Sequence, residues 1–195
     1  MLLLAQTLGR HAQHAYSTGL ELRRALVEHD AVGLFQRHQG YLTGTAEQII
    51  ISFAGSRSAE STFGLVDWCD NLTARLDEHA CGRVHSGCHR QVQFYLKEEM
   101  LRGLEKLYTG QTILLTGHSR GGALALLAAH ELQQAGFQQV AVFMFGAPKV
   151  GDQTFADSCG FPVYRIECEG DPVPLLPPLE GYVAVGSSIW LADDG

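Results

Sequence analysis

Basic residues are scarce in this chain of 195 residues, and its last part has none. No lysine or arginine follows Arg165, and no histidine follows His130. Over the whole sequence, 14 lysines and arginines face 21 acidic residues, which gives a formal net charge of −7. Proteins that hold nucleic acids through their phosphates carry an excess of basic residues. We therefore expect no nucleic-acid partner.

Long apolar runs and paired cysteines are also missing. No apolar run reaches the roughly 18 residues that a membrane-spanning helix needs. The apolar start at residues 1–4 has no basic residues before it, so it predicts the beginning of a helix and not a signal peptide. Five cysteines, an odd number, are not typical of a disulfide framework. These absences favour a cytoplasmic protein.

The length fits a single domain over residues 1–195. Helical spacing of apolar residues predicts N-terminal amphipathic helices within residues 1–45 and a further helix at 87–107. A run of strong helix formers predicts another helix at 123–132. Short apolar runs at 49–53, 112–116, 140–145 and 161–166 predict strands. Strands that are apolar throughout and alternate with helices are typical of an α/β fold. The expected architecture is a mostly parallel central sheet with helices on both faces.

Ser119 lies in the most informative stretch of the sequence. The segment G-H-S-R-G at 117–121 fits the pattern G-x-S-x-G, which is a weak signal by itself in a chain with 22 glycines. Here the pattern joins a predicted buried strand to a predicted helix of small residues. A nucleophilic serine on a sharp strand-to-helix turn occupies this place in many hydrolases. A structural serine in a glycine-rich turn is the alternative.

Five further segments accompany this turn, in an order known from one protein family. They are I-S-F-A-G-S at 51–56, D-W-C-D-N-L at 67–72, V-H-S-G-C at 84–88, F-G-A-P-K-V-G-D at 145–152 and G-D-P-V-P-L-L-P-P at 170–178. On these motifs the chain resembles the class 3, or fungal-type, lipases of the α/β-hydrolase fold. The resemblance runs from about residue 49 to residue 191.

The resemblance implies a role for each matched position. Ser119 would be the nucleophile and Asp171 the acid of the catalytic triad. Ser56 and the backbone N–H of Arg120 would hold the oxyanion, and residues 57–70 would form a lid. The implied activity is hydrolysis of carboxylic esters of lipids or acyl compounds through an acyl-enzyme, with transient contact to a lipid surface. No cofactor is implied.

The histidine of the triad is the main departure from the family. In this fold the triad residues follow the order serine, acid, histidine, and no histidine follows Asp171. Three explanations stay open: the sequence is short at its C-terminus, the protein is a non-catalytic relative that binds an acyl ligand or a protein partner, or an upstream histidine serves as the base. A short C-terminus would also leave an exposed sheet edge through which the chain could form a homodimer.

His85 is the best upstream candidate for a base, although a structural role for it is favoured by the order of the chain. His85 also belongs to a group with Cys81, Cys88 and His89, whose residue types could bind zinc. The spacing C-x3-H-x2-C-H is not a familiar ligand pattern. We therefore expect no metal site.

Overall fold

The computed structural model describes residues 1–17, 31–34, 40–56, 75–93 and 97–191. The helices of these residues are α1 (Leu2–His14), α2 (Ser86–Gln91), α3 (Lys97–Leu107), α4 (Arg120–Gln134) and α5 (Gln153–Ser158). The strands are β1 (Ala31–Leu34), β2 (Gly40–Gly44), β3 (Gln48–Phe53), β4 (Leu76–His79), β5 (Gly82–His85), β6 (Thr112–His118), β7 (Val140–Phe145), β8 (Val163–Cys168) and β9 (Ser187–Leu191). Within the described part of the chain, no helix is long and apolar enough to cross a membrane.

Seven of the described strands form one sheet in the order β1-β2-β3-β6-β7-β8-β9. The strands β3, β6, β7, β8 and β9 run parallel to one another. Strand β2 pairs in antiparallel fashion with both β1 and β3. The hairpin of β4 and β5 forms a separate small sheet. The predicted α/β architecture with a mostly parallel sheet is confirmed.

Helices cover both faces of this sheet, as the sequence predicts. On one face α4 is buried from Gly121 to Leu132, and it packs against Ile113 and Leu115 of β6. On the other face Leu8 of α1 packs against Leu114, the residue between them. Since successive side chains of a strand point to opposite faces, the continuous apolar run of β6 supplies both contacts.

The prediction of N-terminal helices within residues 1–45 is wrong at residues 31–34 and 40–44. Helix α1 is present, but Ala31–Leu34 and Gly40–Gly44 are strands. Strand β2 pairs with β3 over its full length. Tyr41 and Leu42, two successive buried residues of β2, belong to different apolar clusters. Pairing with an established strand and burial on both faces therefore decide the conformation here, over local helical spacing.

Two further expectations fall partly or wholly on residues that the structure does not describe. Most of the helix predicted at 87–107 is present as α2 and α3, and residues 94–96 between them lie outside the described residues. The lid expected at 57–70 and the motif at 67–72 lie outside the described residues.

Candidate active site

The carboxyl ends of the parallel strands bring the predicted site residues to one edge of the sheet. Ser56 follows β3, Ser119 follows β6 and Asp171 follows β8. The ends are in register, since Phe53 pairs with Gly117 and Phe145 pairs with both His118 and Ile166. In open α/β sheets this edge is where ligands bind.

Ser119 has the backbone conformation of a strained turn. Its φ of 55° and ψ of −128° lie in a region that L-amino acids rarely adopt. The N–H of Ser119 donates to the carbonyl of Phe145 over 2.9 Å, which fixes the turn to the neighbouring strand. Ser119 is the N-cap of α4, yet its side chain makes no capping bond, and its buried Oγ has no hydrogen-bond partner among the described residues. The hydroxyl is thus not used to stabilise the fold.

The glycines of the turn are required by close backbone contacts. A Cβ at Gly117 would lie 2.3 Å from the carbonyl carbon of Gly121. A Cβ at Gly121 would lie 2.2 Å from the carbonyl oxygen of Phe53. Both distances are far below van der Waals contact, so the pattern G-x-S-x-G allows β6, α4 and β3 to meet at one point.

The end of β3 is held against the first turn of α4. Nη2 of Arg120 donates to the carbonyl of Gly55 over 3.3 Å. Ser56 is the next residue and is half-buried. The N-terminus of α4 presents backbone N–H groups that no residue within the helix satisfies. Ser56 and the amide of Arg120 therefore lie on adjoining segments at the positive end of this helix.

The carboxylate of Asp171 lies beside Gly146, the residue that follows β7. A Cβ at Gly146, whose φ is +47°, would lie 2.6 Å from Oδ2 of Asp171 and 3.8 Å from Cδ2 of His118. Oδ1 of Asp171 accepts a hydrogen bond of 2.9 Å from the amide of Val173, which orients the carboxylate. Loss of solvation lowers the pKa of His118, and the carboxylate of Asp171 opposes this lowering.

Tyr16 is a site residue that the sequence analysis missed. Its hydroxyl lies 2.8 Å from Nδ1 of His118 and occupies the space that a side chain at Gly55 would need. Burial raises the pKa of Tyr16, so the hydroxyl stays protonated. Tyr16 and His118 border a mainly apolar groove of about 290 Å³ between α1 and the end of β7, beside the serine turn. No local pattern around Tyr16 indicates this contact.

His85 is not brought to Ser119. It is fully buried at the N-cap of α2, where its Nδ1 accepts from the amide of Cys88 over 3.3 Å. The backbone N–H of His85 donates to the carbonyl of Val150 over 2.7 Å, and the imidazole ring contacts Tyr182. Burial lowers the pKa of His85 to about 4. These contacts explain His85 as a structural residue, the alternative that the order of the chain favours.

A second groove, of about 520 Å³, opens beside Asp171 along β9. Glu167, which is buried, lies 2.5 Å from Nη1 of Arg165 and accepts from Oγ of Ser188 over 2.5 Å. Trp190 is 65% exposed on the same strand. The carboxylate of Glu167 thus ties β9 to β8 next to the loop that carries Asp171.

The serine turn, its glycine contacts and the acid at the end of β8 agree with the comparisons with known proteins. The sequence profile of the family described as "Lipase (class 3)" matches residues 50–181. The chain belongs to the class 3 lipase family. The confirmed resemblance covers the motifs at 51–56, 84–88, 117–122, 145–152 and 170–178.

Individual relatives and structures extend this result. The chain is 40% identical over 123 residues to a lipase of Rhizomucor miehei, covering 57% of this chain and 34% of that protein. It is 30% identical over 178 residues to Lipase A of Sodiomyces alcalophilus, covering 74% of this chain and 43% of that protein. The matches thus span less than half the length of these curated relatives.

The structural comparison assigns the fold. The crystal structure of a lipase from Rhizopus microsporus var. chinensis superposes with a TM-score of 0.79 at 24% identity, covering 100% of this chain and 77% of that chain. Lipase II from Rhizopus niveus superposes with a TM-score of 0.74 at 22% identity, covering 98% of this chain and 82% of that chain. The fold is that of the α/β-hydrolases.

Proposed function

We propose that this protein is a serine hydrolase of carboxylic esters that acts on lipids or other acyl esters. The observation that supports the proposal most directly is the state of Ser119. Its hydroxyl is held on a strained turn at the N-terminus of α4 and makes no hydrogen bond with the described residues. A strained serine with an unused hydroxyl at a helix N-terminus is the arrangement of a nucleophile.

In the proposed reaction, Oγ of Ser119 attacks the carbonyl carbon of the ester and forms an acyl-enzyme. The carbonyl oxygen becomes an oxyanion, which accepts hydrogen bonds from the N–H of Arg120 and from Ser56. The base takes the serine proton and gives it to the leaving alcohol, and water then releases the acid by the reverse steps. Asp171 orients the base. The described residues place no histidine on Oγ of Ser119, so the proposed base lies outside them.

The substrate class follows from the surroundings of the serine. The groove at Tyr16 and His118 is mainly apolar, which suits a hydrocarbon chain next to the ester carbonyl. Several relatives are named as lipases or as mono- and diacylglycerol lipases. These observations support a lipid ester and transient contact with a lipid surface.

A second candidate function is a non-catalytic member of the family that binds an acyl ligand. One observation favours it, namely that Oγ of Ser119 has no basic partner among the described residues. Without a base a serine hydroxyl is a weak nucleophile at neutral pH. Loss of the base in a serine triad can lower kcat by about 10⁶-fold.

Hydrolysis of p-nitrophenyl butyrate distinguishes these functions. We expect turnover by the chain of residues 1–195 that is abolished in Ser119→Ala and retained in Ser187→Ala, because Ser187 is exposed on β9. Labelling by a fluorophosphonate should follow the same pattern. Turnover that survives in Ser119→Ala would refute the proposed nucleophile. Binding of a fluorescent fatty acid without hydrolysis or labelling would support the non-catalytic function for residues 1–195.

A further inference from the structure

Three potential metal ligands from separate elements meet away from the serine turn. His79 ends β4, His89 lies in α2 and Glu131 lies in α4. One ligating atom from each of them lies within 4.8 Å of the other two. Nε2 of His79 lies 3.4 Å from Oε1 of Glu131, and the rings of His79 and His89 are 5.1 Å apart at their centres. The group was not predicted from the sequence, where these residues are up to 52 positions apart.

We propose that His79, His89 and Glu131 bind one divalent transition-metal ion, with Zn²⁺ as the preferred ion. Two imidazoles and one carboxylate are ligands that zinc accepts, and water completes the coordination. A tetrahedral ion with bonds of about 2.0–2.2 Å holds neighbouring ligand atoms roughly 3.3–3.5 Å apart. His79 and Glu131 have this separation already. The ligand atom of His89, which lies within 4.8 Å of the other two, must approach by up to about 1.5 Å.

The surroundings of Glu131 explain how the group is stable without an ion. Nζ of Lys97 lies 2.7 Å from Oε2 of Glu131, and the side-chain amide of Gln93 donates to Oε1. The ammonium group thus neutralises the carboxylate. The side chain of Lys97 is 37% exposed, so it can turn into solvent when an ion takes its place. Lys97 and the metal ion therefore compete for the same carboxylate.

The imidazoles have room for the required change of proton position. His79 donates its Nε2 proton to Glu131, and the amide of Cys81 lies at a long 3.4 Å from Nδ1. Binding of the ion at Nε2 requires this proton to move to Nδ1, which gives up the long contact with the amide of Cys81. The ring of His130 packs on His79 at 5.0 Å, and its buried Nδ1 has no hydrogen-bond partner among the described residues. A third imidazole therefore packs directly on the proposed ligand His79.

The position of the group defines what the ion would do. Glu131 is on the same helix as Ser119 but roughly 18 Å further along its axis, so the ion would not contact the reacting ester. It would instead connect the β4–β5 hairpin and α2 to α4. An ion that binds only the folded chain stabilises it in proportion to ion concentration. We therefore assign the site a structural role, independent of the proposed hydrolase activity.

Titration of the chelator-treated chain with Zn²⁺ by isothermal calorimetry tests the proposal. We expect one Zn²⁺ per chain and a rise in Tm with increasing zinc. His89→Gln should weaken binding at least about tenfold, whereas His14→Gln, on α1, should leave it unchanged. Co²⁺ should give the visible absorption of a tetrahedral site in the wild type and not in His89→Gln.

Lys97→Ala distinguishes a metal site from a purely ionic network. Removal of the competing ammonium should increase zinc affinity several-fold, although it lowers the Tm of the metal-free chain. This variant also decides the question if His89→Gln does not fold. A wild type that neither binds zinc at micromolar concentration nor gains stability from it would overturn the proposal, as would equal affinities in His89→Gln and His14→Gln.

Discussion

The hydroxyl of Tyr16 lies 2.8 Å from Nδ1 of His118 and 3.3 Å from the carbonyl oxygen of the same residue. This contact joins the chain after α1 to the end of β6, 102 positions later. It fixes the side chain that precedes Ser119 and closes one side of the apolar groove. The N-terminal helix therefore contributes directly to the candidate active site.

Tyr16→Phe should lower kcat/KM for p-nitrophenyl esters about threefold to tenfold and the free energy of unfolding by about 1 kcal/mol, the usual contribution of one hydrogen bond. Ester hydrolysis and urea unfolding measure the two effects. The matched control is Tyr108→Phe, because the ring of Tyr108 packs on Phe137 away from the site. Equal activities of the two variants would show that the contact with His118 does not matter for catalysis.

Gly146→Ala should displace Asp171. The added methyl group would lie 2.6 Å from Oδ2 of Asp171, so the carboxylate must move from the position in which we propose that it orients the base. We expect a loss of at least about tenfold in kcat, since small displacements of catalytic groups have large effects on rate. Steady-state kinetics at saturating ester measures this loss.

Gly136→Ala is the control for backbone strain at Gly146. Gly136 also has a positive φ, of +95°, but nothing lies within 4 Å of its missing Cβ. This control should cost about 1 kcal/mol of stability and leave kcat unchanged. If both variants lost kcat equally, strain and not displacement of Asp171 would be the cause.

The stability of the fold should fall in acid because of His85. Burial lowers its pKa to about 4 from 6.5, so the folded state binds this proton less readily than the unfolded state. Its contribution to stability is complete above pH 6.5, decreases as the pH falls and is lost below about 4. The difference between the two pKa values corresponds to a change of roughly 3 kcal/mol in the free energy of unfolding.

His85→Asn tests this origin of the acid sensitivity. Asparagine retains a side-chain acceptor for the N-cap of α2 but does not titrate. Urea unfolding at pH 7, 5.5 and 4 should show a smaller decrease in the variant than in the wild type, by up to about 3 kcal/mol. Parallel pH profiles of the two proteins would contradict the assignment.

Glu167→Gln should destabilise the attachment of β9. The substitution removes the charge that faces Arg165 and one acceptor of Ser188, and breaking a buried ion pair costs about 3 kcal/mol or more. Thermal and urea unfolding measure the change. Glu169→Gln, two residues along and exposed, should change stability by less than about 0.5 kcal/mol. Similar losses in both variants would show that the buried pair has no special importance.

The parts of the fold that were predictable are those in which the local pattern and the tertiary structure agree. The runs that form β3, β6 and β7 are mainly apolar, and the small residues after Ser119 form α4, so their type and order follow from the sequence. Strands β1 and β2 are short and gain their stability from pairing with β3. Such pairing is not visible in local spacing.

The candidate site shows the same division. Ser119 could be selected from its motif between a predicted strand and a predicted helix, and Asp171 from the resemblance of its proline-rich loop to that of the class 3 lipases. The contact of Tyr16 with His118 could not be foreseen, since two side chains 102 positions apart meet only when the helix packs on the sheet. The group of His79, His89 and Glu131 was missed for the same reason.

The backbone of Ser119 also has a consequence for how this sequence can evolve. A residue with a side chain costs roughly 1–2 kcal/mol in this conformation, whereas glycine adopts it freely. Replacement of the serine by glycine would relieve this strain without the loss of a hydrogen bond from the hydroxyl. The retention of serine at this strained position is what the proposed nucleophile requires.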